Sequence, residues 1–169
     1  MLHCLRINFT FLATCALLHL LFFLISFPGI LSAQPGQYSL EADSLAAILP
    51  SAPEKEKPEL ILKIGERYRK INDRKKALHY FRYGLSVSQN IKDKNWQTLF
   101  YRELGRMHRA ASLYDSALHC FERSLTLAAE MKHQVHLSLS NNEIGLVYQQ
   151  RGDLTKALTF YLDALKAAE

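Results

Sequence analysis

From Pro58 to Glu169 the apolar positions recur at helical spacing, with polar residues filling the gaps. Ile61, Ile64, Gly65 and Tyr68 stand at i, i+3, i+4 and i+7, which puts them on one helix face, and Ala77, Leu78, Phe81 and Leu85 line one face of the next stretch. Asn72 and Asp73 break the pattern, ending one helix and capping the other. The pattern predicts a helical hairpin. It returns as Tyr101, Leu104, Gly105 and His108 with Ala117, Leu118, Phe121 and Leu125, and again as Ile144, Gly145 and Tyr148 with Ala157, Leu158, Tyr161 and Leu165. The turns fall at Ser112, which forms a capping-box pattern with Asp115, and at Gly152-Asp153. A 40-residue period joins Gly65, Gly105 and Gly145, and likewise Ala77, Ala117 and Ala157. The expected fold is all-α, an α-α superhelix of three hairpins over residues 58–90, 95–131 and 134–169, each burying its apolar face on the next.

The small residues have a mechanical reason. A glycine within a helix costs about 1 kcal/mol relative to alanine, so three in one register imply helices that approach closely. Phe81, Phe121 and Tyr161 are expected to fill the space between one hairpin and its neighbour, with Gly84, Ser124 and Ala164 continuing the seam. The last apolar face, Leu158, Leu162 and Leu165, has no evident cover, so a longer chain or self-association through the third hairpin is expected.

Residues 34–57 form a connector in which Gln34-Pro35-Gly36-Gln37 is flexible and a short helix carries Leu45, Ile48 and Leu49, capped by Ser39 or Asp43 and stopped by Pro50. This helix is expected to cover the first hairpin. Residues 1–33 have the pattern of an export signal: Arg6, an apolar run from Phe9 to Phe27, then Pro28, Gly29 and Leu31-Ser32-Ala33. An uncleaved membrane anchor is the alternative, because the run approaches the roughly 20 apolar residues that span a bilayer. Either way the remainder is expected outside the cytoplasm, periplasmic or membrane-associated.

The hairpin positions resemble the tetratricopeptide repeat, whose pattern is W-x2-L-G-x2-Y followed by A-x3-F. Here it reads Ile61-x2-Ile64-Gly65-x2-Tyr68 with Ala77-x3-Phe81, Tyr101-x2-Leu104-Gly105-x2-His108 with Ala117-x3-Phe121, and Asn141-x2-Ile144-Gly145-x2-Tyr148 with Ala157-x3-Tyr161. The unit is six residues longer than the usual 34, the excess lying between hairpins. The resemblance implies a groove lined by the first helix of each hairpin that takes a peptide or protein. Carried over, the groove positions are Leu62, Glu66 and Arg69, then Arg102, Arg106 and Arg109, then Asn142, Leu146 and Gln149, each set at i, i+4 and i+7 beside the buried stripe. Four arginines there favour an acidic peptide or a free chain terminus; a solvated face is the plainer reading.

The rest of the composition narrows the chemistry. Hydrophobic residues make up 49% and charged residues 22%, ordinary values for a globular chain. The formal charge of +5 is too modest for a nucleic-acid surface, and the aromatics sit at core positions. Cys4 and Cys15 lie in the first 33 residues, so a processed chain keeps only Cys120 and forms no internal disulfide. No phosphate loop, nucleophile elbow or Cys/His pair is present, and no cofactor is expected. Glu130, His133 and His136 cluster at the junction of the second and third hairpins without the spacing of a zinc motif. The chain is expected to be a non-enzymatic exported scaffold. Its rivals are the extracytoplasmic sensor part of a tetratricopeptide signalling protein, and an enzyme accessory subunit that uses the histidines.

Overall fold

The computed structural model describes residues 35–169, which form seven α-helices: α1 Pro35–Ile48, α2 Lys57–Lys70, α3 Arg74–Asn90, α4 Lys94–Ala110, α5 Tyr114–Glu130, α6 Gln134–Gln150 and α7 Leu154–Ala168. A 3-10 turn at Leu49–Ser51 follows α1. From α2 onward each helix packs on the next, so α2/α3, α4/α5 and α6/α7 are hairpins and α3/α4 and α5/α6 are the junctions between them.

One turn, used five times, sets this ladder. Asn72, Lys92, Ser112, Lys132 and Gly152 all have positive φ, at 20-residue intervals. At each, two amides reach back to free carbonyls of the finished helix; at the first, Asn72 N donates to Arg69 O (3.1 Å) and Asp73 N to Tyr68 O (2.9 Å). This left-handed cap satisfies groups that the helix end leaves open. The next residue then starts the following helix: Asp73, Asp93 and Asp153 accept from backbone amides of the first turn. The 40-residue period is therefore two 20-residue helix-turn units. At the α4/α5 turn the expected capping box does not form, because Ser112 is the positive-φ residue and Leu113, which has no capping oxygen, takes the N-cap position.

The spacer glycines are buried within helices, as the pattern requires, but their partners differ from expectation. A Cβ on Gly105 would lie 2.5 Å from the Phe121 ring and one on Gly145 would lie 2.6 Å from Tyr161; Gly65 meets Phe81 in the same way. These aromatics thus fill their own hairpins, not the space between hairpins. That space is filled by Phe100 of α4 against Gly84 of α3. One period later the same contact is polar: Ser124 and Ser140 hydroxyls are 2.8 Å apart, and Ser124 Oγ donates to Thr98 O (3.1 Å). The core runs continuously through Ile61, Ile64, Phe81, Phe100 and Leu104, with a second cluster around Phe121, Ile144 and Val147.

The connector is more ordered than expected. Pro35 and Gly36 are already helical, and Asp43 caps nothing: it accepts from Tyr68 Oη (2.6 Å) on α2, while Glu41 accepts from Arg67 Nε (2.6 Å). Proline suits the first helical position, where its fixed φ and missing N–H cost nothing, and the two side-chain contacts hold the middle of α1 on α2. The export-signal reading falls on residues outside those described. Among the described residues no helix is long and apolar enough to cross a membrane.

Candidate functional site

The first helices of the three hairpins, α2, α4 and α6, share one side of the ladder, and ion pairs tie them together there. Glu103 of α4 and Glu143 of α6 occupy equivalent repeat positions, and both are buried, at 4% and 5% exposure. Arg106 Nε lies 2.5 Å from Glu143 and its Nη1 2.6 Å from Glu103; Arg109 Nη2 is 3.4 Å from Glu143, and Arg69 Nε is 3.7 Å from Glu103. The result is an alternating rail that runs across all three hairpins. Burial works against the charged form of Arg106, but Glu103 and Glu143 outweigh it and raise its pKa. A buried carboxylate is costly unless it is paired, so the rail is also what allows Glu103 and Glu143 to sit where they do.

Arg102 is not on this rail. Expected beside the buried stripe, it is itself buried between α4 and α6, with Nη1 3.5 Å from His136 Nδ1. Burial, with Arg106 beside it, lowers its pKa against the opposing pull of Glu103 and Glu143. His136 is also buried, and its Nε2 is 2.6 Å from Asn95 Oδ1. Burial, His133 and Arg102 together depress the His136 pKa to about 4. The His133 and His136 rings stack at 4.1 Å, but Glu130 turns away to Lys94 (3.0 Å). Among the described residues no three His, Cys, Asp or Glu side chains gather closely enough to hold a metal. Cys120 is buried too, and burial raises its thiol pKa, the setting of an apolar packing residue.

The other groove positions are more accessible. Leu62, Glu66 and Leu146 are half-buried, Arg69, Asn142 and Gln149 exposed, and Gln149 accepts a hydrogen bond from Tyr161 Oη (2.6 Å). The structure therefore brings Arg69, Arg106 and Arg109 together and sets Arg102 apart. The sequence reading passed over Glu103 and Glu143. Their signal was present: a carboxylate one period apart, directly before Leu104-Gly105 and Ile144-Gly145, hence next to the core stripe. Arg74, the first residue of α3, was passed over as well. With Arg69, Asn72, Arg106, Met107, Arg109 and Ala110 it lines a pocket of about 410 Å³.

The hairpins, their left-handed turns and their spacer glycines define a helical-repeat protein of the tetratricopeptide class. Residues 96–169 match the tetratricopeptide repeat family, which supports a tetratricopeptide-repeat protein. Two solved structures share the fold: the TPR domain of Arabidopsis FLU, at TM-score 0.62 and 24% identity over 68% of this chain and 96% of that one, and BtubC from P. vanneervenii, at TM-score 0.64 and 20% identity over 82% of this chain and 57% of that one. A curated relative, the uncharacterized protein ycf37 of Guillardia theta, is 29% identical over 90 residues, 53% of this chain and 47% of that protein. The chain thus matches about half the length of that relative.

Proposed function

We propose that the protein is an interaction scaffold that binds a protein or peptide across the face made by α2, α4 and α6, and that the partner is acidic where it meets the arginines. The carrying observation is the rail. Within the rail Arg69, Arg106 and Arg109 meet two glutamates, Glu103 and Glu143, so one positive charge is in excess there, while Glu66 lies on α2 of the same face. Complementary charge of this kind sets partner choice and encounter rate. Leu62, Asn142 and Leu146 supply accessible apolar and amide surface beside it.

A clean test leaves the rail intact, since changing Arg102 or Arg106 also disturbs packing. Asn142→Glu and Leu146→Glu together are expected to weaken capture of the native partner about tenfold or more at low salt, with helical content unchanged by circular dichroism. Recovery of the same proteins in the same amounts overturns the groove assignment. Export is part of this proposal and rests on the Arg6, apolar-run and Leu31-Ser32-Ala33 pattern of residues 1–33. Amino-terminal sequencing of the mature chain tests it: a start at Gln34 supports cleavage after Ala33, and a start at Met1 in a cytoplasmic fraction removes export.

A further inference from the structure

The pocket of about 410 Å³ lies where the α2/α3 turn meets the last turn of α4. Its charged walls are Arg69, Arg74, Arg106 and Arg109, drawn from three helices, and Asn72 closes the side formed by the turn. Glu103 and Glu143 reach Arg69, Arg106 and Arg109 from the core side. Arg74, also in the lining, is exposed and has no ion-pair partner among the described residues. Four guanidinium groups against two carboxylates leave two positive charges uncompensated around one concave space.

We propose that this pocket binds a doubly charged oxyanion. This rests on the scaffold reading and names the group by which the partner is anchored: a phosphorylated side chain or two neighbouring carboxylates. A monoanion leaves half of the excess unmatched, whereas a dianion matches it and accepts from more than one guanidinium fork. Glu103 and Glu143 act as positioning residues. They hold Arg106 and Arg109 by hydrogen bonds before any ligand arrives and attract Arg69 by charge at 3.7 Å, so less side-chain freedom is lost on binding. The pocket is also larger than one phosphate group, which leaves room for the chain that carries it.

The test uses the full-length chain and small anions at constant ionic strength: inorganic phosphate at pH 8, succinate and acetate, followed by isothermal titration. Phosphate or succinate is expected to bind at least about tenfold tighter than acetate, and Arg74→Ala and Arg109→Ala each to weaken that dianion about fivefold or more. Phosphate alone binding points to a phosphorylated side chain, and succinate binding as well points to paired carboxylates; both support the site. Equal binding of acetate and the dianions, no binding at all, or an Arg74→Ala protein with unchanged affinity overturns it. Arg74 is exposed, so its removal keeps the fold, which melting of the variant confirms. If the anion result is negative while the partner is still captured and Asn142→Glu/Leu146→Glu still weakens that capture, the pocket fails and the scaffold stands.

Discussion

His136 is held neutral from both sides of its ring. Arginine only donates, so Nδ1 is the acceptor from Arg102, and Nε2 then carries the hydrogen that goes to Asn95 Oδ1. With a folded pKa near 4 and an ordinary value near 6.5, the unfolded chain binds the extra proton first. Stability from this group is therefore present above about pH 6.5 and is lost as pH falls toward 4, on the order of 2 kcal/mol across that window. Urea unfolding at pH 7 and pH 4.5 is expected to show the loss, and His136→Gln to remove most of it; an unchanged pH slope in the variant refutes the assignment. The turns make a second prediction at this scale. Lys132 holds φ of 54°, a conformation that costs a side-chain-bearing residue and suits glycine. Lys132→Gly is expected to stabilise by about 0.5–1 kcal/mol, read as a higher melting temperature.

Between elements, the two hairpin junctions solve one packing problem in two ways. At α3/α4 a large ring, Phe100, fills the space left by Gly84; at α5/α6 two hydroxyls, Ser124 and Ser140, meet at 2.8 Å. These positions are equivalent in the repeat, so exchanging them is a direct test of how closely size is matched. Ser140→Phe alone is expected to destabilise by about 1–3 kcal/mol through overpacking against Ser124, and adding Ser124→Gly is expected to recover at least about 1 kcal/mol as a coupling term. Additive unfolding energies for the pair contradict the contact. Gly105→Ala belongs to the same class: its helix-propensity gain is about 1 kcal/mol, but the new Cβ falls 2.5 Å from the buried Phe121 ring. The junction contacts were not legible in the sequence, because Phe100 stands outside the Trp-Leu-Gly-Tyr pattern and only the crossing of α3 and α4 brings Gly84 to it. The glycine and alanine stripe itself was legible, since a period of 40 repeated three times has few other physical causes.

Among the described residues each helix packs chiefly on its sequence neighbours, with α2, α4 and α6 joined in addition by the ion-pair rail. Such a ladder gains stability from nearest-neighbour interfaces, so its ends are the least protected. The first end carries α1, held to α2 through Tyr68, Asp43, Arg67 and Glu41. On α7, Leu154, Leu158, Leu162 and Leu165 remain exposed, whereas Leu118, the counterpart of Leu158, is buried. Amide hydrogen exchange is expected to be slowest in α4 and α5 and fastest in α7. Leu158→Glu is expected to change the unfolding free energy by less than about 0.5 kcal/mol while raising solubility; uniform protection from α2 to α7, or a large loss in that variant, means that α7 has a cover not accounted for by these seven helices.

What the order of residues settled by itself is the local part of the structure. Helical periodicity, turn residues and spacer glycines depend on neighbours a few positions away, and so does the choice of which face of each helix is buried. What only the tertiary structure decided is where the charges go. Glu103, Glu143, Arg69, Arg106 and Arg109 lie on three different helices, and their pairing follows from helix spacing and crossing. The energy of a charge depends on how far it is removed from water and on which opposite charge it meets there. The same geometry buried Arg102 against His136 and left Arg74 at the mouth of a pocket.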